Sequence, residues 1–325
     1  MFPIALKYAA ASGAILFFAS LGAVAQPAFP SRPVEMIVPY PPGGVTDIIA
    51  RSLSHELQSV TGQPFVVENK PGATGIVAAV FVKHSKPDGY TLMMGSASQM
   101  TVLPALKANV PFNPENDFAA LSLVGTTPYV LLVNAAVPAR TTAELLQLLR
   151  ANPGKYNYST SGVGSMPHLL GAMLEQMAKV RIMPVPYQGN SPATAAVAAG
   201  DVQITFDTVV SARPFIEAGK IRALGVAAPQ TIAALPGIPT VASTLPGFTG
   251  ESWLCLYAPA ATPPAAIERL RAIIKKATRS PQFVRKAATG GFEVPDLPVP
   301  EVNAFLKADA ARWRAIAQTA KIVLE

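Results

Sequence analysis

Cysteine is almost absent from this chain. Cys255 stands alone, so no internal disulfide can form. It lies in an apolar, strand-like run over residues 253–258, where a buried and inert thiol is expected rather than a nucleophile. Histidine is nearly as scarce. His55, His84 and His168 are scattered with no two at ligand spacing, so no metal centre is expected. Ser165 and His168 fall three apart at one helix start, and no G-x-S-x-G elbow surrounds any serine, which leaves a hydrolase without its parts. The glycine loops are not followed by Lys-Ser or Lys-Thr, and Pro167 stands where a dinucleotide loop would need its last glycine. Neither a cofactor nor an enzymatic activity is expected.

Charge is also sparse. Only 14% of the residues are charged while half are apolar, a balance that excludes a disordered chain. The net charge of +7 is spread out, with small basic clusters at residues 269–276 and 279–286 that suit exposed helix faces. No readable nucleic-acid motif accompanies them, and no nucleic-acid partner is expected. Long apolar runs are missing too, apart from residues 8–21, which follow Lys7. That run is shorter than the roughly 20 residues a spanning helix needs. It ends at Ala23-Val24-Ala25, a small-residue cleavage site, so residues 1–25 read as a secretory signal removed on export to the periplasm.

What the sequence does contain is one construction used three times. Residues 34–38 alternate as a short buried strand, and the loop PYPPGGVTD (residues 39–47) follows. Its prolines stop the strand, and Gly43-Gly44 permits positive φ and close approach of backbone to a bound group. Thr46 is the expected N-cap, Asp47 falls in the first helical turn, and Gly62 takes the C-cap place. The second unit is a strand at residues 156–159 and the loop STSGVGSMPH (residues 159–168), where Ser165 caps and Pro167 sits in the first turn. In the third, PVPYQGNSPA (residues 184–193), Ser191 is the expected cap and Pro192 the first helical residue. Helix N-termini of this kind present unpaired N–H groups to an anion. No Lys or Arg lies in these loops, so backbone donors are expected to do more of the gripping than side chains.

Elsewhere the chain has βαβ rhythm with short connections and no internal repeat, which predicts an α/β protein with mainly parallel sheets. Further strands are expected at residues 64–68, 90–94, 129–134, 202–207, 221–227 and 253–258. Three helices follow the last of these, starting at Pro263, Pro281 and Pro300. Such sheets bind ligands beyond the carboxyl ends of their strands. An exported α/β protein with anion-ready loops and no catalytic constellation points to a binder.

Several stretches, taken in order, resemble the Bug family, the TctC-like solute-binding proteins of tripartite tricarboxylate transporters. They are PVEMIVPYPPGGVTDIIAR (residues 33–51), VVENKPGATG (66–75), KPDGYTLMMGSAS (86–98), NPGKYNYSTSGVGSMPHLL (152–170) and VPYQGNSPA (185–193). GKIRALGV (219–226), LPGIPTV (235–241) and APAATPP (258–264) continue the match. The resemblance implies a two-domain, type II periplasmic-binding-protein fold that closes like a Venus flytrap on a small carboxylate. It implies one domain from residues 26–126 and 253–325, and a second from 127–252. By the same resemblance, the ligand-binding positions are Tyr40, Pro42, Gly43, Gly44, Thr46 and Asp47 in the first loop, and Ser96, Ala97 and Ser98 after the third strand. Thr160, Ser161, Gly162, Gly164, Ser165 and His168 follow in the second loop, with Tyr187 and Gly189 in the third, and Asp207. The carboxylate is held largely by backbone N–H groups and water. The implied partners of a monomer are the two membrane subunits of the transporter. A periplasmic receptor feeding a sensor kinase is the alternative, and a secreted hydrolase is a third.

The sequence departs from the family pattern at Val45, usually a third glycine, and at Gln188, usually Lys or Arg. It departs again over residues 73–77, ATGIV in place of G-G-N-I-G. Loss of the basic residue weighs against a citrate-like ligand. Val45 is read as an apolar wall suiting an aromatic or aliphatic monocarboxylate. Asp47 and Asp207 remain open between two roles, stabilising their own loops or reading a ligand ammonium.

Overall fold

Among the described residues of the computed structural model, 29–107 and 109–319, ten strands form two five-stranded sheets. The expected secretory signal, residues 1–25, lies outside the described residues. The first sheet contains β1 (Val34–Val38), β2 (Phe65–Asn69), β3 (Thr91–Ser96), β4 (Phe118–Pro128) and β10 (Glu251–Pro259), in the order β2-β1-β3-β10-β4. The second contains β5 (Val130–Asn134), β6 (Asn157–Thr160), β7 (Met183–Pro186), β8 (Ile204–Asp207) and β9 (Ile221–Val226), in the order β7-β6-β8-β5-β9. The sheets are mixed rather than mainly parallel. In each, one strand runs antiparallel to both its neighbours, β10 in the first and β5 in the second. The cause is the way the chain changes sheets. β4 leads straight through Tyr129 into β5, and the return crossing brings β10 back between β3 and β4.

The two crossings are stitched together by backbone. Tyr129 N–H donates to Gly250 O at 2.9 Å, Ala227 N–H to Tyr129 O at 2.8 Å, and Gly250 N–H to Ala227 O at 2.7 Å. These bonds satisfy peptide groups where neither sheet could. Helices cover both sheets on both faces. On one face of the first sheet Val34, Met36 and Val38 pack with Leu53 and Leu57 of α1 (Val45–Thr61). Leu270 and Ile274 of α8 (Pro264–Thr278) and Phe283 of α9 (Pro281–Thr289) join them. Ile37, between them in sequence, points into the opposite core with Ala78 and Val82 of α2 (Ile76–Lys83). The alternation expected over β1 is therefore that of a strand buried on both faces.

Short α3 (Leu103–Leu106) follows a π-helical turn, Ser98–Val102. The second sheet carries α4 (Thr142–Ala151), α5 (Met166–Ala178), α6 (Asn190–Ala199) and α7 (Val209–Glu217). The last helix, α10 (Val299–Thr319), buries Val302 and Trp313. It is pinned by Asp309, whose Oδ2 accepts from Trp253 Nε1 at 2.7 Å and Thr101 Oγ1 at 2.8 Å.

Candidate functional site

The carboxyl ends of β1, β3, β6 and β8 carry the loops that face one another between the two sheets. In the first loop, Gly43 takes φ +85° while Gly44 is extended at φ −81° and serves as N-cap of α1. Thr46 is thus inside the helix and does not cap it. Asp47 takes over that task, with Oδ2 accepting from Gly43 N–H at 3.0 Å, so the third helical residue reaches back over the helix start. The same carboxylate accepts from Arg51 Nε and, at 2.9 Å, from Asn69 Nδ2. Burial works against its charge, but the bonds from Arg51, Asn69 and Gly43 hold its pKa below the ordinary value. Pro42 and Gly43 are exposed at the loop tip. Val45 belongs to the core of the first sheet and walls no cleft, contrary to expectation.

After β3, Ser96 Oγ pairs with Tyr40 OH at 2.9 Å, and burial raises the tyrosine pKa to about 12. Ala97 is packed in the core. Ser98 Oγ accepts from Met166 N–H at 3.0 Å, joining the first sheet's loop to the start of α5.

The second loop departs most from the backbone-donor expectation. Gly162 N–H donates to Thr160 Oγ1, Gly164 N–H to His168 Nδ1 at 3.2 Å, Ser165 N–H to Gly162 O, and Met166 N–H to Ser98. These donors are spoken for. What lacks a partner is hydroxyl. Eight buried side-chain polar atoms are unpaired among the described residues, and three of them are Ser159, Ser161 and Ser165 Oγ, within one seven-residue stretch. Ser165 is the N-cap of α5, but its hydroxyl makes no cap bond. Burial lowers the pKa of His168 below the usual imidazole value, which suits its role as a neutral acceptor in the loop.

In the third loop, α6 starts two residues earlier than expected. Gly189 is its N-cap at φ +124°, while Ser191 and Pro192 lie inside the first turn. Asn190 is thereby free to turn its amide onto Asp207 Oδ1. Asp207 is fully buried and also accepts from Thr194 Oγ1 at 2.5 Å and Thr208 N–H at 2.7 Å. Burial raises its pKa in spite of these donors. Both acids of the expected site are therefore occupied within the protein.

Opposing loops touch. A Cβ on Gly189 would lie 2.8 Å from Pro41 Cδ, and one on Gly162 would lie 2.7 Å from Thr74 Oγ1. Thr74 donates to Val163 O at 2.8 Å across the gap. The cleft is shut around a cavity of about 290 Å³, whose wall includes Tyr40, Ser161, Gly162 and Tyr187 from the expected set. Thr74, Ile76, Leu103 and Val163 line it as well, and sequence reading missed them. The departure from the family pattern at residues 73–77 was the available signal. A larger cavity of about 980 Å³ lies outside the cleft, against α10 and the loop before β4. Its two acids are paired, Asp117 with Lys83 and Glu115 with Lys307, and no expected loop reaches it. The smaller cavity, which lies between the expected loops and holds the unpaired Ser161 hydroxyl, is the stronger site.

Two mixed α/β layers joined by crossing strands, with loops meeting over a pocket between them, define the two-domain periplasmic-binding-protein fold. The chain belongs to the tripartite tricarboxylate transporter receptor (TctC) family, whose model matches residues 49–322; this is a family of binding proteins, not of enzymes. It is 38% identical over 292 residues to the "UPF0065 protein in tcbD-tcbE intergenic region" of Pseudomonas sp. (strain P51), covering 89% of this chain and 86% of that one. Among solved structures, Rpa4515 of R. palustris with adipate superposes with a TM-score of 0.88 at 30% identity, covering 91% of this chain and 99% of that one. The periplasmic binding protein BugD gives 0.87 at 29% identity, covering 91% and 100%.

Proposed function

We propose that this chain captures a small organic carboxylate in the cleft and delivers it to the membrane subunits of a tripartite tricarboxylate-type secondary transporter. The observation that carries the reading is the cluster of unpaired buried hydroxyls at Ser159, Ser161 and Ser165. A buried hydroxyl without a partner costs about 1–3 kcal/mol, and a carboxylate oxygen removes that cost. Ser161 lines the cavity and Ser165 stands at the N-terminus of a 13-residue helix, whose dipole favours an anion there. The N-terminus of α1 is the poorer seat, because the Asp47 carboxylate already occupies it.

The adipate bound by the R. palustris relative supports a carboxylate as the ligand class. On this reading residues 26–126 with 253–325 and residues 127–252 are the two bodies that open and close, about the crossings at Tyr129 and Gly250. The protein works as a monomer in the periplasm after loss of residues 1–25. No helix among the described residues is long and apolar enough to cross a membrane.

Mass spectrometry of small molecules released on denaturing the purified protein tests the reading, with a carboxylic acid expected. Calorimetry with that acid on Ser161→Ala should show a loss of roughly 0.5–1.5 kcal/mol, one ordinary hydrogen bond. Release of a molecule without an acid group, or wild-type affinity in Ser161→Ala, would refute it.

A further inference from the structure

The cavity's chemistry is one-sided. Its one unpaired buried polar group is the uncharged hydroxyl of Ser161, in the β6–α5 loop. Away from it the wall is mainly Ile76, Leu103 and Val163 with the rings of Tyr40 and Tyr187, and Thr74 and Gln188 add uncharged polar groups. No acid lines it, and the two acids nearest in the fold, Asp47 and Asp207, already hold three donors or more each. A ligand ammonium would enter without an anionic partner to offset its desolvation. The one cation in the wall, Lys107, is part-exposed and also borders the large outer cavity. A charge in that position is screened by solvent and gives a second carboxylate little return for its desolvation. At roughly 30 Å³ for each water-sized group, the cavity has room for an acid of about ten non-hydrogen atoms.

We propose that the ligand is a monocarboxylate with an apolar aliphatic or aromatic body, its head on Ser161 and its body against Ile76, Leu103 and Val163. This rests on the reading of the cleft as a carboxylate site. The apolar wall expected at Val45 is supplied instead by the first residues of α2 and α3 and by Val163 of the β6–α5 loop. Ile76 then determines specificity, because any polar group carried by the far end of the ligand must be buried against its side chain.

The test is calorimetry and thermal shift on the purified full chain with hexanoate, benzoate, adipate, glutamate and benzamide. Hexanoate or benzoate should bind at least tenfold more tightly than adipate or glutamate, and benzamide should not bind. Ile76→Lys places a cation at the apolar end, where its stem can still cover the core and its amine reach water. It should move the hexanoate-to-adipate preference at least tenfold toward adipate, with the melting of the unliganded protein checked beside it. Tighter binding of adipate or glutamate by the wild type would overturn the monocarboxylate inference and leave the carboxylate reading standing. An unchanged preference in folded Ile76→Lys would do the same. Benzamide binding as well as benzoate, or no binding by any of the acids, would remove the carboxylate reading and this inference together.

Discussion

Thr74 is the most informative residue to change. It sits at φ 54°, ψ 34°, beside Ala73 at φ 47°. For side chains other than glycine this left-handed geometry costs roughly 1–2 kcal/mol per residue. In return Thr74 Oγ1 reaches Val163 O at 2.8 Å, a bond that ties the first sheet's side of the cleft to the second's. Such a bond can form only when the cleft is shut, so it stabilises the closed form. A net hydrogen bond contributes about 0.5–1.5 kcal/mol. Val163 is 53% exposed, so water replaces part of what is lost and the lower half of that range applies. Thr74→Val keeps the branched shape and removes the hydroxyl, and should weaken binding about 2- to 5-fold. The loss should appear in the dissociation rate, because the bond forms after encounter. Thr74→Ser should bind like the wild type. Thr74→Gly should lose the same affinity as valine yet melt higher, since relief of roughly 1–2 kcal/mol of strain exceeds the 0.4–1 kcal/mol of added chain entropy. Stopped-flow dissociation and thermal melts separate these effects. Wild-type affinity in Thr74→Val, or a serine variant as weak as valine, would show that Thr74 is no latch.

Three further outcomes are expected. Gly43→Ala should destabilise by about 1 kcal/mol or more in urea titrations, from its φ of +85° and the Ser191 Oγ that would lie 3.3 Å from the new Cβ. Gly44→Ala, extended and with no neighbour closer than 3.9 Å, should cost only the cap preference, roughly 0.5 kcal/mol, and equal losses would contradict the loop geometry. Asp47 has its pKa lowered in the fold, so its contribution is present above the unfolded value and disappears as pH falls through the folded one. The stability gap between wild type and Asp47→Asn should therefore be widest near neutrality and close in acid, and a gap that widens on acidification would reverse the assignment. Finally, the intact mass of the periplasmic product should begin at Gln26, and retention of residues 1–25 would rule out cleavage.

Much of this molecule was legible in its sequence because local rules and tertiary demands agree. β1, β6 and α1 carry their own periodicity, and Gly62 closes α1 in the left-handed conformation its position suggested. The loops were found from prolines, glycines and caps, since turn chemistry is local. Misreadings arose where distant partners decide. Thr46 looked like a cap because Asp47's reach back to Gly43 cannot be seen in sequence order. β4 was missed because FAALSLVGTTP is apolar on both faces and shows no strict alternation. α7 was missed because Pro214 lies inside it. At the site the second loop's backbone donors are paired within the protein, and the apolar wall comes from residues 76, 103 and 163, far from the loop that had been credited with it.

The order β2-β1-β3-β10-β4 also governs how the chain can assemble. β10 lies between β3 and β4, yet it begins at residue 251, after every strand of the second sheet. Until that segment arrives, β3 and β4 each present a naked edge whose N–H and C=O groups invite pairing with other chains. The second sheet draws its strands from one unbroken stretch, residues 130–226, and suffers no such delay. During vectorial emergence the inserted half is thus complete first, and the half that starts the chain stays unfinished longest. A chain cut short before residue 251 would keep the interior of its first sheet open as an aggregation template.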